Sequence, residues 1–265
     1  MAWARVCLLF AATLLSVSVS ATPAARCADD TAVCLFGLFP HSGSRQAGST
    51  FSTLAEDLGF ELDAPVRLVS SSSMAKYRQR LREGWFDIAV VGPGVFVAPG
   101  VSDKYVPVAM MARTLNIVIA VDDEGPIKQP SDLAGNTVGT LLRGSGTWLM
   151  QRLIIRKAGL DMERQLTLRE FRTAKNCVLA LSSGQVAACG ISEPILQVVE
   201  GAVPITIRRL GPRESIPGPV YLVHREMVPA QRELVANYLA DRGGVQPYNP
   251  AAYASLRSAM ETALR

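Results

Sequence analysis

Short apolar runs recur along this chain, each closed by Gly, Pro, Ser or Asn, and between them lie stretches whose apolar residues fall at helical spacing. Cys34-Leu35-Phe36-Gly37-Leu38-Phe39 reads as a buried first strand broken by Pro40. Phe51 to Leu58 has helical spacing and should stop at Gly59, and Val66 to Ser70 makes a second strand. Ser73 is placed to cap a helix from Met74 to Glu83, and Asp87 to Val91 makes a third strand that stops at Gly92-Pro93-Gly94. Three β-α units therefore fit into the first 95 residues.

The middle of the chain restarts the same grammar. Leu115 to Val121 is a β-branched strand, Ser131-Asp132-Leu133 opens a short helix, and Asn136 to Thr140 is a further strand. Then come a helix Trp148 to Ala158 closed by Gly159, a strand Leu166 to Phe171, a helix Asn176 to Ser182 and a strand Val186 to Ile191. Ile205-Thr206-Ile207, a Gly/Pro-rich passage, the strand Val220 to Val223 and amphipathic helices Pro229 to Leu239 and Pro250 to Leu264 complete the order. Alternation of this kind marks α/β layers, and two lobes joined by extended crossovers account for it better than one continuous sheet.

One junction carries chemistry. Gly139-Thr140-Leu141-Leu142-Arg143-Gly144-Ser145-Gly146-Thr147-Trp148 runs from a strand through a small, hydroxyl-bearing turn into an apolar helix. Unpaired N–H groups and the positive end of the helix dipole gather at such a start, so Gly144, Ser145, Gly146 and Thr147 form a cradle for an anion. A nucleotide-binding loop would need Lys and then Ser or Thr where this chain has Ser145 and Gly146, which points to a small oxyanion. An ordinary strand-to-helix connection capped by Ser145 or Thr147 fits the same residues.

Arg5 precedes an apolar run from Val6 to Leu15, and Val19-Ser20-Ala21 offers small residues of the kind a signal peptidase reads, so residues 1–21 are expected to be a leader cleaved near Ala21. The product is expected in the periplasm, where disulfides persist. Once Cys7 is removed, Cys27, Cys34, Cys177 and Cys189 remain, and sequence proximity favours Cys27 with Cys34 and Cys177 with Cys189. A thiolate site for a soft metal is the alternative, but the spacings match no zinc pattern and the chain has only 2 His. No metal or cofactor is expected. The formal net charge of +4 suits anion attraction and is far from a nucleic-acid footprint.

Phe36-Gly37-Leu38-Phe39-Pro40, Tyr77 to Ala89 and Gly92-Pro93 resemble the first lobe of phosphate, phosphite and phosphonate binding proteins of ABC transporters. Ile127 to Gly135 is similar to that family's passage into its second lobe, and the likeness continues through Ser182 to Ala188 and Ile216-Pro217-Gly218-Pro219. The resemblance implies a two-lobed type II periplasmic-binding-protein fold, each lobe a mostly parallel sheet flanked by helices, joined by a two-strand hinge. Residues 33–112 with 224–265 would form lobe 1 and residues 113–223 lobe 2. It implies a monomeric clamp that captures a small oxyanion for an ABC permease. The alternative is a periplasmic sensor reporting occupancy to a membrane histidine kinase.

Ligands of open α/β sheets sit beyond the carboxyl ends of strands. The loops there hold Phe39, Ser73, Gly92, Pro93 and Gly94, the cradle, and Thr173 with Lys175. By resemblance, Ser145, Gly146 and Thr147 match the family's cluster that grips phosphoryl oxygens, and Gly92 to Val95 its first-lobe loop. The family's Gly-Ser-His segment reads here Arg172-Thr173-Ala174, followed by Lys175. This exchanges a titratable contact for a fixed cation, Lys175 or Arg172, suited to a more fully ionised anion. Glu193 follows a strand end and is read either as a cleft carboxylate or as a helix start before Pro194. Catalysis is not expected, since Gly144-Ser145-Gly146 lacks the nucleophile elbow.

Overall fold

The computed structural model describes Cys27, residues 33–39 and residues 45–263, with no account of side chains at 45–49; the expected leader and His41 lie outside this range. Along the chain come β1 (Cys34–Leu38), α1 (Arg45–Leu62), β2 (Val66–Ser70), α2 (Met74–Arg82), β3 (Ile88–Val91), α3 (Pro93–Phe96) and β4 (Tyr105–Met111). The middle holds β5 (Thr114–Asp122), β6 (Thr137–Thr140), α4 (Gly146–Lys157), α5 (Met162–Gln165), β7 (Thr167–Glu170), α6 (Ala174–Ser182), β8 (Ala188–Ser192), α7 (Glu193–Val199) and β9 (Ile207–Pro217). The chain returns through β10 (Val220–His224), α8 (Pro229–Ala240), β11 (Val245–Pro247) and α9 (Ala254–Ala263).

Two sheets result, ordered β11-β4-β10-β3-β1-β2 and β7-β6-β8-β5-β9. Each is built around a parallel trio, β3-β1-β2 in one and β7-β6-β8 in the other, and is extended by antiparallel strands. Near-continuous burial of β3, β8 and β10 is what strands covered on both faces require. One apolar core runs from Tyr77, Phe86 and Val91 in the first lobe to Ile117, Leu149 and Ile154 in the second. The lobes therefore pack on each other.

Several elements depart from the reading of the sequence. Helix α1 runs through Gly59 to Leu62 and is ended instead by Asp63 in the left-handed region at φ 48°. The Gly/Pro-rich passage before Pro217 is the long edge strand β9. Gly211, at φ 72°, and Pro212 lie where the β5–β9 register shifts, and an edge strand tolerates both. Tyr105–Met111 and Val245–Pro247, unassigned from the sequence, pair beside β10. Strand β10, expected at the end of the second lobe, lies in the first sheet between β3 and β4, so the return crossover comes before Val220 rather than after residue 223. Helix α9, expected with lobe 1, lies against α4, burying Leu256 and Met260 in the shared core.

The two crossovers run side by side. Thr114 pairs with Pro217, and the Met111 N–H donates to the Pro219 carbonyl at 2.9 Å. A Cβ on Gly218 would come within 2.4 Å of the Met111 carbonyl oxygen, so only glycine lets these backbones meet so closely. The Tyr253 hydroxyl donates to the Gly218 carbonyl at 2.7 Å and ties the last segment of the chain to this hinge.

Disulfides join Cys27 to Cys34 and Cys177 to Cys189. The second lies on Gly139 of β6, where a Cβ would be 2.3 Å from the Cys177 sulfur. It closes a loop across 12 residues, worth about 3 kcal/mol by chain-entropy arguments. Thermal unfolding of the Cys177→Ala/Cys189→Ala variant is expected roughly 6–12 °C below the parent, and a variant that melts within a degree would show that the bridge contributes nothing.

Candidate functional site

The cradle is positioned by local chemistry. Gly144 takes a left-handed turn at φ 73°, and Ser145 follows in extended geometry at φ −73°, ψ 162°. The Ser145 hydroxyl oxygen accepts from the Trp148 N–H at 3.2 Å, and its carbonyl accepts from Leu149 N–H at 3.0 Å. Those bonds satisfy two first-turn donors of α4. The N–H groups of Gly146 and Thr147 have no helical acceptor, and they stand at the positive end of a 12-residue helix. Since the Ser145 oxygen accepts through a lone pair, its hydroxyl hydrogen is still available to donate.

From the first lobe, the turn after β3 faces this helix start. Gly94 is packed so closely that a Cβ there would lie 2.5 Å from the Gly146 nitrogen and 2.7 Å from the Gly144 carbonyl oxygen. Between the lobes is a cavity of about 190 Å³, smaller than the roughly 300–1,000 Å³ typical of drug-sized sites. Its polar lining comes from Ser145, Gly146, Thr147, Arg78 and Arg172, and its apolar lining from Phe39, Met74, Pro93, Val95, Leu141 and Leu142, with Gly92 and Gly94 between.

Arg78 is the residue the sequence reading passed over. It projects from α2 of the first lobe, one turn after Met74, and its Nη2 donates to the Arg143 carbonyl of the second lobe at 3.2 Å. Its Nε is buried with no hydrogen-bond partner in the structure. Burial pulls the guanidinium's affinity for its proton down from the usual value, the Arg82 charge adds to this, and Glu170 opposes it. This is a half-buried cation with one buried, unpaired N–H beside the start of α4. Glu170 itself accepts from the Arg143 N–H at 3.0 Å.

Of the residues expected in the cleft, Phe39, Gly92, Pro93, Gly94, Ser145, Gly146 and Thr147 line the cavity together. The others do not line it. Gly144 lies just behind, with the Arg78 guanidinium 3.7 Å from where its Cβ would be. The hydroxyls of Ser73 and Thr173 accept from the N–H groups of Lys76 and Asn176, each at 3.2 Å, as caps of α2 and α6. Lys175 is exposed in the first turn of α6, and Arg172 supplies the cation at the cavity instead. Glu193 is buried at the start of α7, bound by Arg209 at 3.4 Å, Arg213 at 3.3 Å and Asn116 at 3.3 Å, so its charge is consumed within the second lobe. The structure also adds Met74, Leu141 and Leu142, whose apolar character gave no chemical signal.

Larger hollows of about 430 and 340 Å³ lie around Arg152, Asp161 and Glu163, beside the start of the short helix α5, and around Asp122, Asn136 and Gln185. Among the described residues no group of three His, Cys, Asp or Glu side chains is placed to hold a metal. No helix among them is long and apolar enough to cross a membrane.

Solved structures share this architecture. XAC2383 from Xanthomonas citri bound to ATP superposes with a TM-score of 0.69 at 15% identity, covering 87% of this chain and 97% of that one. PhnD1 from Prochlorococcus marinus in complex with methylphosphonate gives 0.68 at 10% identity, covering 88% and 98%. A binding protein component of an ABC phosphonate transporter from Pseudomonas aeruginosa, PA3383, gives 0.66 at 15% identity, covering 86% and 85%. A search of curated protein sequences finds no match. The family described as "ABC transporter, phosphonate, periplasmic substrate-binding protein" matches residues 36–260, and with this span of the fold and the cleft inside it the chain belongs to that family of periplasmic substrate-binding proteins.

Proposed function

We propose that the chain reversibly captures a small tetrahedral oxyanion in the cavity between its lobes and delivers it, as a monomer exported by the leader ending near Ala21, to an ABC permease. The observation that carries this reading is the pairing of α4's free N–H groups with the buried, partnerless Nε of Arg78 across one small cavity. Oxygen atoms placed there would accept from the Gly146 and Thr147 N–H groups, the Ser145 and Thr147 hydroxyls and the guanidinium groups of Arg78 and Arg172. Exclusion of water by the packed lobes would strengthen each of these bonds. Methylphosphonate in PhnD1 supports an anion of this size and shape.

The binding is non-covalent. Ser145 acts as a helix cap, and His224, the described histidine, sits at the end of β10 with its Nε2 against Gly84, where it serves the first sheet. Family membership favours delivery to a permease over signalling to a kinase.

Thr147→Val keeps the branched shape and the backbone N–H while deleting one hydroxyl. Hydrogen bonds to charged groups are worth about 1.5–3 kcal/mol, so affinity for methylphosphonate or phosphate is expected to fall about ten- to 150-fold. Isothermal titration measures this directly, and equal affinities for variant and parent would remove the Thr147 hydroxyl from the set of ligand donors.

A further inference from the structure

The loop that leads into α4 is held at Arg143, on both sides of its α-carbon. Its N–H donates to Glu170 Oε2 at 3.0 Å within the second lobe, and its carbonyl accepts from Arg78 Nη2 of the first lobe at 3.2 Å. Its guanidinium lies back over the Trp148 ring, 5.4 Å from the centroid. The turn around it closes through the Ser145 N–H, which donates to the Leu142 carbonyl at 3.0 Å. Leu142 and Ser145 line the cavity on either side of this anchored residue.

Glu170 is fixed where it can make that contact. It is the last residue of β7, it pairs with Thr140 at the end of β6, and the next N–H, of Phe171, donates to the Thr140 carbonyl at 2.8 Å. Two strand ends are thereby set side by side, and the Glu170 side chain spans from one of them to a residue three places beyond the other. Glu170 is exposed, so solvent and salt screen its charge, and little of its effect reaches Arg78 or an anion as a field. What remains is the directed, charge-assisted bond to the Arg143 N–H.

Resting on the oxyanion reading above, we propose that Glu170 is a positioning residue for anion capture: it touches no ligand, but by holding the Arg143 N–H it forms the turn before α4 in advance, with the Arg143 carbonyl presented to Arg78 of the other lobe. Without that bond the turn would be ordered only as the anion and the first lobe arrive, and the entropy of ordering it would be subtracted from the affinity.

Glu170→Ala removes the acceptor, whereas Glu170→Gln keeps an acceptor oxygen at the same reach and removes the charge. In titrations of the whole protein with methylphosphonate, the alanine variant is expected to bind about five- to thirtyfold more weakly, the equivalent of ordering one residue's backbone. The glutamine variant should stay within about threefold of the parent. Amide hydrogen exchange without ligand should be faster over residues 143–147 in Glu170→Ala and restored in Glu170→Gln, while the melting temperatures of both stay close to the parent's, as an exposed position requires. A carboxylate acting through its charge would repel the anion, and both variants would then bind more tightly than the parent. A residue serving stability alone would lower the melting temperature and leave affinity unchanged. Either of those results, glutamine as weak as alanine, or unaltered exchange in Glu170→Ala overturns the positioning role while leaving oxyanion capture intact. A parent that binds neither methylphosphonate nor phosphate overturns both.

Discussion

Arg78→Met is expected to cost the protein about 100- to 10,000-fold in affinity for its oxyanion while leaving the unliganded fold as stable as before. The binding loss follows from removing a guanidinium that can present two parallel donors to one phosphoryl group, at about 1.5–3 kcal/mol for each charge-assisted bond. The indifference of the fold has a separate cause. Arg78 is half-buried, its buried Nε makes no hydrogen bond, and its Nη2 donates to the Arg143 carbonyl at 3.2 Å. An apolar side chain of similar length keeps its packing and removes the cost of the unpaired N–H. Melting temperature without ligand should therefore hold or rise, while the ligand-induced increase in melting temperature disappears. A ligand at 100 times its dissociation constant stabilises by about 2.7 kcal/mol, so that disappearance is measurable. Arg78→Lys keeps the charge and loses the fork, and should fall between the two. If Arg78→Met titrates like the parent, the cavity beside α4 is not where the anion sits.

Why Arg78 escaped the sequence, while Ser145 did not, follows from how each residue acquires its role. Ser145 caps α4 through a bond to a residue three places on, so the turn and the helix start are written in one short segment. The same local logic located Ser73 as a cap, whereas Thr173, read as a cleft residue, turns out to cap α6. Whether a capped helix start faces the cleft is a non-local matter, decided by where the strand before it lies in its sheet. For α4 it faces the cavity; for α2 and α6 the caps lie outside it, although Met74 and Arg172 beside those caps line it. Arg78 looks from the sequence like one more of the basic residues of α2 beside Lys76, Arg80 and Arg82, and only the packing of α2 against the Arg143 loop distinguishes it. Glu193 needed Arg209 and Arg213 of β9 alongside, and β9 was hidden behind Gly211 and Pro212, which end a strand in most settings. The parallel trios were readable for the opposite reason. Ile88–Val91 is a short apolar run with its own punctuation, and burial along its whole length rewards that pattern, while Val66–Ser70 is a half-exposed edge strand marked by its β-branched residues and the turns around it.

Gly94→Ala is expected to lower affinity at least about 100-fold through the jaw and not through the ligand contacts, because losing the first lobe's share of the donors removes more than about 2.7 kcal/mol. Gly94 is not held in the left-handed region, unlike Gly144, so alanine is conformationally acceptable there and each lobe keeps its own fold. What an added methyl meets is the other lobe. The Gly146 nitrogen, the Ser145 carbonyl carbon and the Gly144 carbonyl oxygen would lie 2.5, 2.6 and 2.7 Å away, all backbone atoms of the cradle that no side-chain rotation can clear. The lobes must separate by the difference between those distances and an ordinary contact, and Arg78 and Phe39 withdraw from the cradle as they do. Because an interface of packed backbone closes as a unit, the small displacement should act as a switch from the closed to the open arrangement. Small-angle scattering should then show no compaction of Gly94→Ala with saturating methylphosphonate, and without ligand it should melt below the parent, because parting the lobes opens the core they share. A variant that binds and compacts normally would mean that the approach of α3 to α4 is not the step by which the anion is enclosed.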